Sequence, residues 1–398
     1  MRIRKSIDIS PPWKLWLFVW GTILFFYSLR IVSFYSNLTL LPLLYVSTSI
    51  LIFFLLNLFL KYKYKFYRKF DLNLNTLLFL KKLTKKYLVY WLIGNAITIA
   101  VQKGFPLLWL FMGSNKTYAD FGFPTIQGFL NALYSFSLII YFLNYYFFKK
   151  KSDLYTIIFL LIYPILIINR GLLVLIIFEL IGIFFLFNRL KLTQLFRGTL
   201  LVFLFIYIFG IIGDLRLGFS TKFLSDMINP KYFTIMTNFP SGFLWTYLYG
   251  TVSFNNLATN LSTVHPLYEP YYTISPLLPT VIRNLVYDTN YSTKYSLEMV
   301  NNSFNTFTVF ANFLKDFGII GSLVAFIPIQ YFSTVVYIKA KRNEVWAIIA
   351  YPIIFASVIL SVFDNFFTIW FSIFQIILAV YIQKKYHLTM SSSTNNPI

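Results

Sequence analysis

Between Thr263 and Tyr291 the chain reads TVHPLYEPYYTISPLLPTVIRNLVYDTNY. His265, Glu269, Arg283 and Asp288 stand here among Tyr268, Tyr271 and Tyr272. Aromatic faces stack on sugar rings and carboxylates bind hydroxyls, so this set could hold a saccharide. The same residues also suit a solvated loop whose aromatics sit at a membrane interface. Pro266, Pro270, Pro276 and Pro279 preclude one continuous helix through the stretch.

Further along are charges at the edges of apolar runs. Arg170 and Arg216 each follow such a run. A guanidinium there either snorkels to the interface or grips an anion, since its planar fork matches phosphate oxygens. Glu179 lies within an apolar run, where a carboxyl must face other helices rather than lipid. It either serves structure as a buried acid or meets a Tyr, Asn or Ser from another span. Lys315 and Asp316 mark the start of another run, where Asp316 closes a helix end or points into a cavity.

Several chemistries are excluded. The chain has no cysteine, so disulfides and thiolate metal sites are absent. His265 and His387 are its two histidines, too few for a histidine-rich metal centre. No glycine-rich phosphate loop with its lysine occurs, so ATP-driven work has no support. No cofactor or metal is expected.

The elements that carry these residues follow from composition. Apolar residues form 58% of 398 and charged residues 12%, about half the usual share, at a mean hydropathy of +0.69. This points to a membrane protein. The 34 basic residues outnumber 13 acidic ones, and they cluster between apolar runs. That pattern fits cytoplasmic loops better than nucleic-acid binding. Alternating basic returns predict an all-α polytopic protein of about ten transmembrane helices with both termini cytoplasmic. The predicted division is 1–212 for helices 1 to 7, 213–316 for a large extracytoplasmic cap, 317–385 for helices 8 to 10, and 386–398 for a cytoplasmic tail. The segment 102–124 is expected outside, with a short interfacial or re-entrant helix. The cap is expected to consist of short helices lying on the membrane.

Four stretches resemble the oligosaccharide repeat unit polymerases of bacterial surface polysaccharides, the Wzy class related to O-antigen polymerases. They are NRGLLVLIIFE from Asn169, GDLR from Gly213, YLYGTVSFNNL from Tyr247 and NTFTVFANFLKDFGIIGS from Asn305. The resemblance implies an enzyme of the cytoplasmic membrane that polymerises units carried on polyprenyl pyrophosphate into capsule, exopolysaccharide or O-antigen. A lipid-linked glycan ligase and a flippase are the alternatives. Donor and acceptor lipid-linked oligosaccharides would be its ligands, with chain-length regulators and flippases as partner proteins. Under that resemblance Arg170, Arg216 and Arg283 would hold pyrophosphate. His265, Glu269 and Asp316 would be candidate bases, and Tyr249, Tyr268, Tyr271, Tyr272 and Asp288 would bind sugar.

Overall fold

A computed structural model describes residues 8–35, 37–64, 74–189, 198, 200, 203–204, 206–207, 210, 226–287, 297–301, 304 and 306–394. In chain order the helices are α1 (Pro12–Ser28), α2 (Leu40–Lys63), α3 (Leu74–Gln102), α4 (Pro106–Phe111), α5 (Ile126–Phe148), α6 (Lys151–Leu166) and α7 (Arg170–Phe187). After residues outside the description come α8 (Phe233–Thr237), α9 (Ser241–Thr263), α10 (Tyr271–Ile274) and α11 (Thr280–Val286). Last are α12 (Ala311–Lys341), α13 (Val345–Leu360) and α14 (Trp370–Thr394).

Local chemistry sets where these helices stop. Arg30, at φ 50°, turns the chain out of α1, and Ile31 is then held by the Tyr247 hydroxyl at 3.2 Å and by Asn229 N at 2.8 Å. Lys149, at φ 54°, closes α5 in the left-handed conformation. Ile168 (φ 51°) breaks α6 from α7, and Asn169 Oδ1 then caps α7 by accepting Leu172 N at 2.9 Å.

Packing is most extensive between α3 and α5, α7 and α13, and α12 with α13. Gly182 lets α7 approach closely, because a Cβ there would lie 2.9 Å from Phe355 Cβ. Trp16, Trp20, Phe310 and Phe326 make the aromatic centre, and Trp20 Nε1 donates to Ser361 Oγ at 3.1 Å. Glu179 is fully buried and faces the bundle interior. Ser135 of α5 donates to it, and Gln375 Oε1 of α14 lies 3.4 Å from the same hydroxyl.

The antiparallel course gathers the basic segments at one end. Lys81 of α3 pairs with Asp153 at the start of α6. Lys341 Nζ donates to Leu186 O at the end of α7, at 2.6 Å, and Arg342 lies over Tyr64 just past α2. Thr76 Oγ1 donates to Tyr386 OH at 2.8 Å, and Tyr351 OH donates to Ser10 O at 2.5 Å.

The ten-span expectation needs correction. Among the described residues four helices are long and apolar enough to cross a membrane: α2, α5, α7 and α12. These support a multi-pass membrane protein. The other expected spans fall short for physical reasons. Helices α1, α6 and α13 have 17, 16 and 16 residues, about 24–26 Å at the usual rise, against a hydrocarbon core of roughly 30 Å. Helix α3 carries Lys81, Lys82, Lys85 and Lys86 in its first half, and α14 ends in polar and basic residues. The expected seventh span, about Thr199 to Ile212, falls mostly outside the described residues. The repeat unit polymerase resemblance, carried by four short stretches, implies a highly polytopic protein; four membrane-length apolar helices among the described residues do not support that, and the assignment is withdrawn. Repeat unit polymerisation, ligation and flipping are withdrawn with it.

Candidate functional site

At the end opposite the basic segments, α9 supports a cap. It is one helix of 23 residues, longer than the short helices expected there. Its polar residues are sorted by helical spacing. Thr251 and Asn255, four apart, face α1 and the segment after it: Thr251 meets Tyr35 OH, and Asn255 Oδ1 accepts Tyr27 OH at 2.6 Å. Ser253, Asn256 and Asn260 take another face and bind residues 298, 300 and 306. Ser253 Oγ donates to Thr306 Oγ1 at 2.8 Å. Asn256 Nδ2 donates to Thr306 O at 2.9 Å while its Oδ1 accepts Val300 N at 3.0 Å. Asn260 holds Glu298 the same way, donating to its carbonyl at 2.8 Å and accepting its N–H at 2.9 Å. Buried side-chain amides of this kind satisfy backbone groups that lie outside any helix or sheet.

Next, the segment after α9 docks on the start of α12. Gly318 (φ 68°, ψ −168°) interrupts α12, and a Cβ there would lie 3.2 Å from Pro266 Cγ. The interruption frees two carbonyls, and the docking segment takes them: Leu267 N donates to Lys315 O at 2.9 Å and Tyr268 N to Asp316 O at 2.8 Å. In return the Asp316 carboxylate caps α10, accepting Tyr272 N at 3.0 Å and Thr273 N at 2.6 Å. Lys315 Nζ lies 4.3 Å from the Tyr272 ring centre, a cation–π contact. Tyr271 stacks edge-on against both Tyr272 and Tyr287. Tyr268 is held at φ 58° and is 78% exposed. For a residue with a Cβ that backbone costs about 1–2 kcal/mol.

Beneath the cap lies a polar floor. The turn Ser275–Leu277 packs on α14. At this end Asn365, Thr368 and Ser372 are buried, as is Thr308, and their side-chain polar atoms have no protein hydrogen-bond partner. Such groups are costly in a native fold unless something polar meets them. Ser372 also lines an apolar cleft of about 180 Å³ between α12, α13 and α14, whose other walls include Pro328, Phe332, Ile354 and Phe367.

The structure thus brings together part of the site read from sequence. His265, Tyr268, Glu269, Tyr271, Tyr272, Lys315 and Asp316 share the docking segment and its seat. His265 and Glu269 are exposed, and Asp316 is a buried helix cap. Arg170 opens α7, and Arg283 lies on α11, whose Val281 N donates to Thr125 Oγ1 at 3.0 Å. Both arginines are therefore at the cap end, on separate elements, each half-buried. Tyr249 packs among Trp245, Phe304 and Phe363. Arg216 and Asp288 lie outside the described residues. Sequence reasoning missed Asn256, Asn260 and the floor of Asn365, Thr368 and Ser372. The polar stripe at 253, 256 and 260 was the available signal for the first two.

Among the described residues no cluster of acidic, histidine or cysteine side chains could hold a metal. No family model, no curated protein and no solved structure matches the chain.

Proposed function

We propose that this protein binds a saccharide carried on a membrane lipid, with polyprenyl pyrophosphate as the carrier, and acts on it as a membrane glycosyltransferase. The basic end would face the cytoplasm of a bacterial cell and the cap would stand on the outer side of the cytoplasmic membrane. The observation that carries the reading is the position of Ser372. It stands where a floor of unpartnered buried polar atoms meets an apolar cleft. A ligand with a hydroxyl-rich head and a hydrocarbon tail suits both parts. Tyr268 supplies an exposed ring on the docking segment, while Tyr271 and Tyr272 are buried and support it.

In the proposed transfer an acceptor hydroxyl attacks the anomeric carbon as the bond from that carbon to phosphate oxygen breaks. The lipid pyrophosphate leaves with the electron pair, and the hydroxyl proton passes to a base. His265 and Glu269 are the exposed candidates on the docking segment, because both oxygens of Asp316 are engaged by backbone N–H groups. Arg170 and Arg283 would steady the departing charge.

The test is native mass spectrometry of the protein in nanodiscs offered three probes: a polyprenyl-pyrophosphate-linked saccharide, the same lipid without sugar, and free saccharide. Preference for the first is expected. Thr368→Val should reduce the preference for the sugar-bearing lipid, and Ser372→Phe should block lipid uptake by filling the cleft. Equal binding of the free sugar, or two variants that bind as the parent does, would overturn the reading.

A further inference from the structure

Two short helices at the cap end expose apolar faces that none of the described residues covers. On α4, Trp109 is buried, while Leu110, Phe111 (79% exposed) and Met112 just beyond are bare. On α11, Val281, Ile282, Leu285 (82% exposed) and Val286 are bare. Positions 281, 282 and 285 share one side of a helix.

Their height in the fold is fixed by hydrogen bonds to the membrane helices. Thr125, the residue before α5, receives Val281 N, so α11 starts level with the first turn of a membrane-crossing helix. Helix α4 follows α3 after a tight turn closed by Gly104 N donating to Ile99 O at 3.0 Å, and it packs on α6. Gln102, at the end of α3, donates to Asp120 O at 3.0 Å and accepts Gly122 N at 3.1 Å, which ties the following loop to the same level. Lys116 lies over the inner face of α4, 5.0 Å from the Trp109 ring centre, and donates to Gln102 O at 3.0 Å.

At that same level the large helices expose Val101, Ile126 and Ile165. The bare faces of α4 and α11 therefore continue the exposed apolar surface at the outer ends of α3 and α6 and of the membrane-length helix α5. Polar and basic groups border them, the arrangement of a helix lying in a bilayer interface. We infer that α4 and α11 are two membrane-inserted wedges that lie in the lipid interface and hold the cap at headgroup depth. The occupant of both faces is the bilayer in which the protein sits. This inference stands independently of glycosyl transfer.

The chain contains no cysteine, so single cysteines can be introduced without background. Phe111→Cys, Leu285→Cys and Val286→Cys would each carry an environment-sensitive fluorophore, with Ser262→Cys, exposed at the end of α9, as control. Each labelled protein would be placed in nanodiscs with lipids bearing a nitroxide near the headgroup or near the chain end. The expected result is blue-shifted emission at positions 111, 285 and 286, quenched several-fold more strongly by the shallow nitroxide than by the deep one. The control should resemble a fluorophore in water. Water-like emission at 111 and at both α11 positions would overturn the inference. So would a blue shift without lipid quenching, because another protein surface would then cover these faces.

Discussion

Thr273 N donates to Asp316 Oδ2 at 2.6 Å across 43 positions of chain, and this bond is half of a two-way clamp. The backbone of residues 267 and 268 completes α12, while the side chain of Asp316 completes α10. Asp316→Ala should therefore cost about 1–3 kcal/mol, the range for stripping hydrogen bonds from a buried charged acceptor. The loss should be local. Hydrogen exchange of residues 267–274 should rise sharply while α5 and α13 keep their protection. Asp316→Asn retains one acceptor and should fall between the two. A uniform change along the chain would contradict the clamp.

Asn256 tests the lacing of the cap. Its amide donates to Thr306 O and accepts Val300 N, so both ends of the group matter. Asn256→Asp places a carboxylate oxygen against the Thr306 carbonyl, which Asn256→Ala does not. The aspartate variant should be the less stable of the two in detergent. Both should expose residues 297–301 to proteolysis before the helical bundle unfolds. Equal midpoints for the two would mean that a carboxylate at position 256 does not meet the Thr306 carbonyl.

How much of this was legible in the sequence depends on the reach of each interaction. Helix positions followed from local hydropathy, as at α2 and α5, where the apolar runs from about Leu40 to Leu60 and Thr125 to Phe148 nearly coincide with the helices. Span count did not, because hydropathy weighs an apolar run without showing where capping and left-handed residues such as Arg30 and Ile168 shorten it. The docking segment stood out by composition: His265, Glu269 and the tyrosines contrast with their surroundings. The role of Asp316 was invisible, since it depends on Gly318 breaking α12 and on Pro266 arriving from 52 positions away. The polar floor of Asn365, Thr368 and Ser372 is spread over helix and turn and has no local signature.

Asp120 supplies a pH test outside the spans. Thr117 donates to its carboxylate from both backbone N–H (2.7 Å) and hydroxyl (2.9 Å), which holds the Asp120 pKa below the ordinary carboxylate value. A depressed folded pKa means that the capping contribution is complete above the unfolded value. It is lost as pH falls through the folded one. Amide protection of residues 117–121, corrected for intrinsic exchange, should therefore drop on acidification through the carboxylate range. Asp120→Asn should flatten that dependence. A wild-type profile that stays level into acid would remove the capping box from the account.

Lys81 and Asp153 give the last prediction, and it is an asymmetric one. Asp153 is 1% exposed by its side chain and Lys81 20%, and they pair where α3 meets the start of α6. Lys81→Ala leaves a carboxylate buried without its cation, which should cost about 3 kcal/mol, the lower end for breaking a buried pair because Lys81 keeps some contact with water. Asp153→Asn leaves a lysine whose long stem can carry its ammonium outward, so its loss should be smaller. The double variant Lys81→Ala/Asp153→Asn should recover stability relative to Lys81→Ala alone, since no unpaired buried charge remains. Denaturant midpoints of the four proteins in one detergent decide it. Additive losses would show that the two side chains are not coupled.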